Sequence, residues 1–276
     1  MNRYQLLFDR LKGERRGAFV PFVTLGDPTP EISFSIIKNL IDAGADCLEL
    51  GFPYSDPIAD GPVIQAASIR ALEAGVTMDN CFALLARIRE YYEDIPIGLL
   101  TYSNLILAKG INAFYEQAFT VGVDSVLIAD VPTRESQLFY SAALQHNISH
   151  IFIVPPNITK DNLEYIARHS DGYTYLLSRA GVTGVETQAQ MPAEQLVEKL
   201  AFYNAAPPLL GFGISEPQQV EDAINAGAIG VIVGSAVVKR VASNLGDHEQ
   251  MMLSLQEFVV SMKSATYYSQ QESVLA

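Results

Sequence analysis

Apolar runs recur along the chain at 18–24, 47–50, 97–102, 125–129, 151–154, 173–177, 208–211 and 230–233. Between them the stretches 31–43, 79–91, 111–120, 136–145, 160–169, 192–203 and 216–225 carry apolar residues at helical spacing, the pattern of a helix that buries one stripe. A strand apolar at successive positions is covered on both faces, which implies a parallel sheet with helices outside it. Eight such units in alternation predict an α/β fold of one kind, a single (β/α)8 TIM barrel. Further helices are expected at 4–11, covering the barrel bottom, and at 251–262 near the C-terminus. A weak repeat, Ala43-Gly44-Ala45-Asp46, Val121-Gly122-Val123-Asp124 and Ala226-Gly227-Ala228-Ile229, ends a helix and precedes a strand each time. Glycine there suits the left-handed conformation that stops a helix. The competing architecture, an open doubly wound sheet, lacks its Gly-x-Gly-x-x-Gly turn after the first strand.

Length and composition narrow this picture. At 276 residues, one catalytic barrel spanning 1–276 is expected, with no segment that reads as an interdomain linker. The net charge of −13, with no Lys/Arg cluster interleaved with aromatics, argues against a nucleic-acid surface. No apolar run approaches the ~18 residues of a membrane span, and the polar start Met1-Asn2-Arg3-Tyr4-Gln5 has no secretory apolar core. A cytoplasmic location is the expectation. Cys47, opening a strand, and Cys81, on a helix, read as buried reduced thiols.

The absences narrow the chemistry too. His146, His150, His169 and His248 show no spacing with acids that would gather a metal at the strand ends, so no metal site is expected. No lysine occupies a strand end where it would form a Schiff base, and no nucleophilic Ser or Cys motif is present. Carboxylate acid/base catalysis remains. Its candidates lie in Leu48-Glu49-Leu50-Gly51-Phe52-Pro53-Tyr54-Ser55-Asp56-Pro57-Ile58-Ala59-Asp60-Gly61-Pro62. Glu49 sits inside an apolar strand, where desolvation disfavours its charged form, and Asp60 lies among turn residues that can solvate it or donate to it.

In a barrel of this class the active site lies at the C-terminal strand ends, often with a phosphate site after strands seven and eight. Gly211-Phe212-Gly213-Ile214-Ser215 follows the seventh run, and Gly234-Ser235 follows the eighth just before a helix. Backbone N–H groups there can hold an anion without a cationic side chain, although each glycine pair alone would also suit a tight turn. Phe22, Leu100, Tyr102, Leu127, Ala129, Ile153, Tyr175, Phe212 and Ile232 fall near strand C-termini. Those that face inward would form either barrel core or the wall of a flat apolar pocket. The long loop 178–190, rich in Gly and Thr, is a candidate lid carrying Thr183 and Gly184. Asp130 could support the site, meet a partner or cap a helix.

Three motifs together are specific. They are Ala18-Phe19-Val20-Pro21-Phe22-Val23-Thr24-Leu25-Gly26-Asp27-Pro28, the acidic segment around Glu49 and Asp60, and Tyr173-Thr174-Tyr175-Leu176-Leu177-Ser178-Arg179-Ala180-Gly181-Val182-Thr183-Gly184. With the two glycine turns, they make the chain resemble the tryptophan synthase alpha subunit nearly from end to end. The resemblance implies a lyase that cleaves indole-3-glycerol phosphate into indole and glyceraldehyde 3-phosphate by a retro-aldol reaction, with no cofactor in this chain. It implies Glu49 as the acid/base and Asp60 as the ionised acceptor of the indole N–H. Tyr175 would support the substrate or Glu49, and Thr183 would order Asp60. Gly184, Gly213, Gly234 and Ser235 would hold the phosphate, with Phe22, Leu100, Leu127 and Phe212 in the substrate wall.

The resemblance also implies a partner, the tryptophan synthase beta subunit, which carries pyridoxal phosphate, in an alpha2-beta2 hetero-tetramer. Pro53, Asp56, Asn104 and Pro132 are the expected interface residues, because released indole has to leave at that rim. Two alternatives stay open: a stand-alone lyase with the same chemistry, and a non-catalytic barrel that senses a phosphorylated ligand.

Overall fold

The structure, a computed structural model, describes residues 2–177 and 192–268. Eight strands form a closed barrel in chain order: β1 (Ala18–Thr24), β2 (Leu48–Gly51), β3 (Ile97–Thr101), β4 (Ser125–Ile128), β5 (Ser149–Val154), β6 (Thr174–Leu177), β7 (Pro208–Gly211) and β8 (Gly230–Val233). Every neighbouring pair is parallel, and β8 closes on β1. The helices are α1 (Arg3–Glu14), α2 (Pro30–Asp42), α3 (Pro62–Glu73), α4 (Met78–Tyr91), α5 (Ser103–Lys109), α6 (Ile111–Thr120), α7 (Gln137–Gln145), α8 (Lys160–His169), α9 (Ala193–Phe202), α10 (Pro217–Asn225), α11 (Ser235–Ser243) and α12 (His248–Ser264).

The predicted alternation is present, with boundaries that move by up to three residues. Thr29, Thr77 and Thr159 accept backbone N–H bonds at the starts of α2, α4 and α8. Asp247 caps α12 and starts it three residues before the expected 251. Two helices were not anticipated. The buried face of α3 is Ile64, Ala67, Ser68 and Ala71, too small and too mixed to register as an apolar stripe. The segment around Asn104 is the short α5, whose buried hydrophobic is Ile106 alone. The repeat glycines behave as anticipated: Gly44, Gly122 and Gly227 have φ of 118°, 78° and 89°, and their N–H groups bond back to the preceding helices.

Alternation along each strand sorts side chains into two layers. Leu48 and Leu50 point outward into the core between sheet and helices, and Cys47 points into the barrel. Its lower end is plugged by α1, where Tyr4, Leu7, Phe8 and Leu11 join the interior cluster. The Tyr4 hydroxyl reaches Ser125 Oγ at 2.7 Å, at the start of β4. The upper, C-terminal end is left to the loops. Cys47 and Cys81 are buried and unpaired. Among the described residues no helix is long and apolar enough to cross a membrane, and no group of three His, Cys, Asp or Glu could hold a metal ion.

Candidate active site

A cavity of about 630 Å³ opens at the C-terminal strand ends. It brings together Glu49, Asp60, Phe22, Leu100, Tyr175, Phe212, Gly213, Gly234 and Ser235 from the sequence-derived candidates. Leu127 is not in its wall; it packs in the barrel interior. Thr183, Gly184 and the candidate lid lie outside the described residues.

Period-two geometry of β2 turns Glu49 inward, and the register sets it beside Phe22 and Gly98. Glu49 is 2% exposed. Tyr173 Oη donates to Glu49 Oε1 at 3.3 Å. Burial raises the Glu49 carboxyl from its ordinary 4.5 to about 8, with the Tyr173 bond opposing the rise and the charge of Asp60 adding to it. Gly98 is what makes this crowding possible. A Cβ there would stand 2.9 Å from Ser125 Oγ, 3.1 Å from Tyr4 Oη and 3.5 Å from Tyr173 Oη. The Tyr4 and Tyr173 rings meet edge to face at 5.3 Å, so the plug helix braces the tyrosine that holds Glu49.

Asp60 lies on the loop between β2 and α3. Tyr102 Oη donates to Asp60 Oδ2 at 2.9 Å and accepts the Ala59 N–H at 3.1 Å, a small closed circuit that fixes the loop. The Tyr102 ring stacks on Tyr54 at 4.9 Å, and Asn104 Nδ2 donates to Tyr54 Oη at 3.0 Å. Burial raises the Asp60 carboxyl as well, and the Tyr102 bond pulls it back. The two acids therefore shift in the same direction, and their contrast is one of degree. The hydroxyl of Tyr102 keeps the less buried acid nearer its ordinary range.

Opposite the acids, Phe212 and Gly213 both take left-handed φ, 69° and 79°, which turns the chain sharply after β7. Gly234 precedes α11 with an ordinary φ of −101°. Its use is closeness to Phe22, where a Cβ would come within 3.5 Å of the ring. Val237 and Val238 N–H both return to Gly234 O, and the helix N–H groups before them, at Ser235 and Ala236, have no partner within the helix. Such an end attracts anions.

Two of the residues that hold the acids escaped the sequence reading in those roles. Tyr173 shares the inward face of its strand with Tyr175, and that parity was the available signal; the hydrogen bond to Glu49 comes from Tyr173, while Tyr175 lines the cavity. Tyr102 was expected only as wall. Lys239, Arg240 and Glu216 also line the cavity and were not anticipated. Of the rim residues, Asp56, Asn104 and Pro132 are exposed, whereas Pro53 is buried and offers no free surface in this chain. The exposed apolar side chains Ile58 and Leu107, 74% and 52% exposed, accompany them. Asp130 serves α5: its carboxylate accepts Ser103 N–H at 2.8 Å and Ser103 Oγ–H at 2.7 Å.

The chain is similar to known proteins over nearly its whole length. The family model described as tryptophan synthase alpha chain matches residues 8–267. The tryptophan synthase alpha chain of Cronobacter sakazakii is 57% identical over 266 residues, covering 96% of this chain and 99% of that protein. The crystal structure of tryptophan synthase subunit alpha from Legionella pneumophila superposes with a TM-score of 0.86 at 29% identity, covering 96% and 98% of the two chains. A chain from the crystal structure of a tryptophan synthase complex of Pyrococcus furiosus matches with a TM-score of 0.79 at 30% identity, covering 90% and 98%.

Proposed function

The chain belongs to the tryptophan synthase alpha chain family, and from that premise we propose how its barrel does its work. It is the alpha subunit in tryptophan biosynthesis, a lyase that cleaves indole-3-glycerol phosphate to indole and glyceraldehyde 3-phosphate. We propose Glu49 as the acid/base of that reaction and Asp60 as its electrostatic partner. With its carboxyl raised to about 8, Glu49 is protonated near neutrality and has a proton to give to indole C3. The ring then carries a positive charge that Asp60, accepting the indole N–H, offsets. The carboxylate left on Glu49 takes the proton of the C3′ hydroxyl as the C3–C3′ bond breaks. The bonding pair returns to the ring, the C3′ carbon leaves as the aldehyde, and Glu49 regains its starting proton. One side chain thus acts first as acid and then as base.

The substrate-holding roles extend this proposal. Phe22, Leu100, Tyr175 and Phe212 would face the indole and the glycerol chain. The N–H groups at Gly213, Gly234 and Ser235, with Gly184 from the segment outside the described residues, would take the phosphate. Thr183 in that same segment would order Asp60. The reading is supported above all by one observation: a fully buried Glu49 shares a cavity with Asp60 and the turn before α11.

We propose the tryptophan synthase beta subunit as the partner, which the tryptophan synthase complex among the solved relatives supports. We further propose an alpha2-beta2 assembly in the cytoplasm, with pyridoxal phosphate bound by the beta chain and no cofactor in this one. The whole span 1–276 would then serve as one catalytic domain. Asp56, Asn104 and Pro132 would meet the partner at the rim, with the buried Pro53 supporting the loop that carries Asp56. Indole release from indole-3-glycerol phosphate, measured with and without a beta subunit, tests both parts of the proposal. Absence of indole in both conditions would refute the catalytic reading, and indifference to the beta subunit would refute the assembly.

A further inference from the structure

The cavity wall contains a lysine that the backbone-only picture of phosphate binding leaves unused. Lys239 lines the cavity, is exposed, and has neither a hydrogen bond nor an ion pair to any described residue. It lies four residues after Ser235 on α11, hence on the same helix face and about 6 Å, just over one turn, further along. Side chains on a helix tilt toward its N-terminus, and Lys239 lines the same cavity as Ser235 and Ala236, within reach of that open end for a four-carbon stem. Its neighbour Arg240 is already engaged: Nη1 donates to Ala236 O at 2.9 Å, and the guanidinium sits 3.7 Å over the Phe258 ring.

Charge gives this placement its consequence. The protein carries −13 overall, and the same cavity wall holds Glu216, a carboxylate that would repel a phosphate. Helix-end dipoles favour an anion but supply only about half a unit charge. We infer that Lys239 is a specificity-determining residue that selects the dianionic tail of the substrate, by placing a full, uncommitted positive charge beside the N–H groups of α11. This rests on the phosphate reading given above and adds to it a charged side chain that favours a doubly charged ligand over a neutral one. Its contribution is electrostatic and solvent-facing, so it belongs to ligand capture and affinity and fades with salt.

The test is titration of the full chain, wild type, K239Q and K239R, with sn-glycerol 3-phosphate and separately with indole. The titrations are run at ionic strengths of about 0.01 M and about 1 M, where the screening lengths are about 30 Å and about 3 Å. K239Q should bind glycerol phosphate about two- to fivefold more weakly at low salt, the range of an exposed ion pair. K239R should restore most of that loss, the gap should close at high salt, and indole affinity should be unmoved. Equal glycerol phosphate affinities for wild type and K239Q at low salt, with wild type binding measurably, would overturn the role of Lys239 and leave the phosphate reading standing. Failure of wild type itself to bind glycerol phosphate would remove the phosphate reading and this inference with it.

Discussion

At the scale of single residues the site is two acids, each held by one tyrosine. Glu49→Gln keeps the shape and an acceptor for Tyr173 but cannot exchange a proton. A positioned acid/base contributes about 10²- to 10⁴-fold, so indole release should fall by at least about a hundredfold in a protein that still folds. Turnover near wild type would exclude Glu49 from proton transfer. Tyr173→Phe is subtler. Its hydroxyl lowers a carboxyl that burial has lifted to about 8, and without it the Glu49 carboxyl should rise further. The pH profile of kcat/KM should then shift its Glu49-dependent limb to higher pH, and an unmoved limb would show that Tyr173 is only packing. These roles were half legible in the sequence. Glu49 stands out because a charge within Leu48 and Leu50 is rare unless used, whereas Tyr173 looks like any apolar strand residue until the barrel closes and Gly98 admits its hydroxyl.

At the scale of elements, the working parts are the short pieces that the pattern of apolar positions hides. The eight strands were readable because each is buried on both faces, and most outer helices because their apolar stripes are wide. Neither condition holds for α3 or α5. The first buries mostly small side chains, and the second is seven residues long and held by a contact remote in sequence. Asp130, at the end of β4, takes both polar hydrogens of Ser103; Tyr102, the residue just before α5, reaches from there to Asp60. A side chain that caps a helix and ties down its first residue typically contributes about 1 kcal/mol. Asp130→Ala should therefore lower stability by roughly 1 kcal/mol and also lower turnover, since Tyr102 loses its fixed base. Asp130→Asn, which keeps one acceptor, should do less of both. Denaturant unfolding paired with an indole assay checks this. A loss of stability with turnover intact would sever α5 from the chemistry.

At the scale of the whole molecule, the buried acid that serves catalysis works against the fold as pH rises. Glu49 has a folded pKa of about 8 against an ordinary 4.5, so between those values the folded chain binds more protons than the unfolded one, and stability falls as pH rises through that window. His150 runs the other way. Packed against Phe152 and Tyr140, it is lowered by burial from 6.5 to about 4. The unfolded chain binds the extra proton between those values, and stability is lost as pH falls through them. The two slopes oppose each other from 4.5 to 6.5, leaving Glu49 alone from 6.5 to 8. At 1.36 kcal/mol per pH unit for one proton, wild type should lose roughly 2 kcal/mol across that upper interval. Glu49→Gln has no proton to release there, so its unfolding free energy should stay nearly level. The advantage of the variant over wild type should thus widen from pH 6.5 to 8, while its activity is gone at both. Urea unfolding of the two proteins at a series of pH values measures this difference, in which groups that titrate alike in both cancel. Parallel curves would mean that Glu49 is already ionised when folded, and the proton it is proposed to give to indole C3 would have to come from elsewhere.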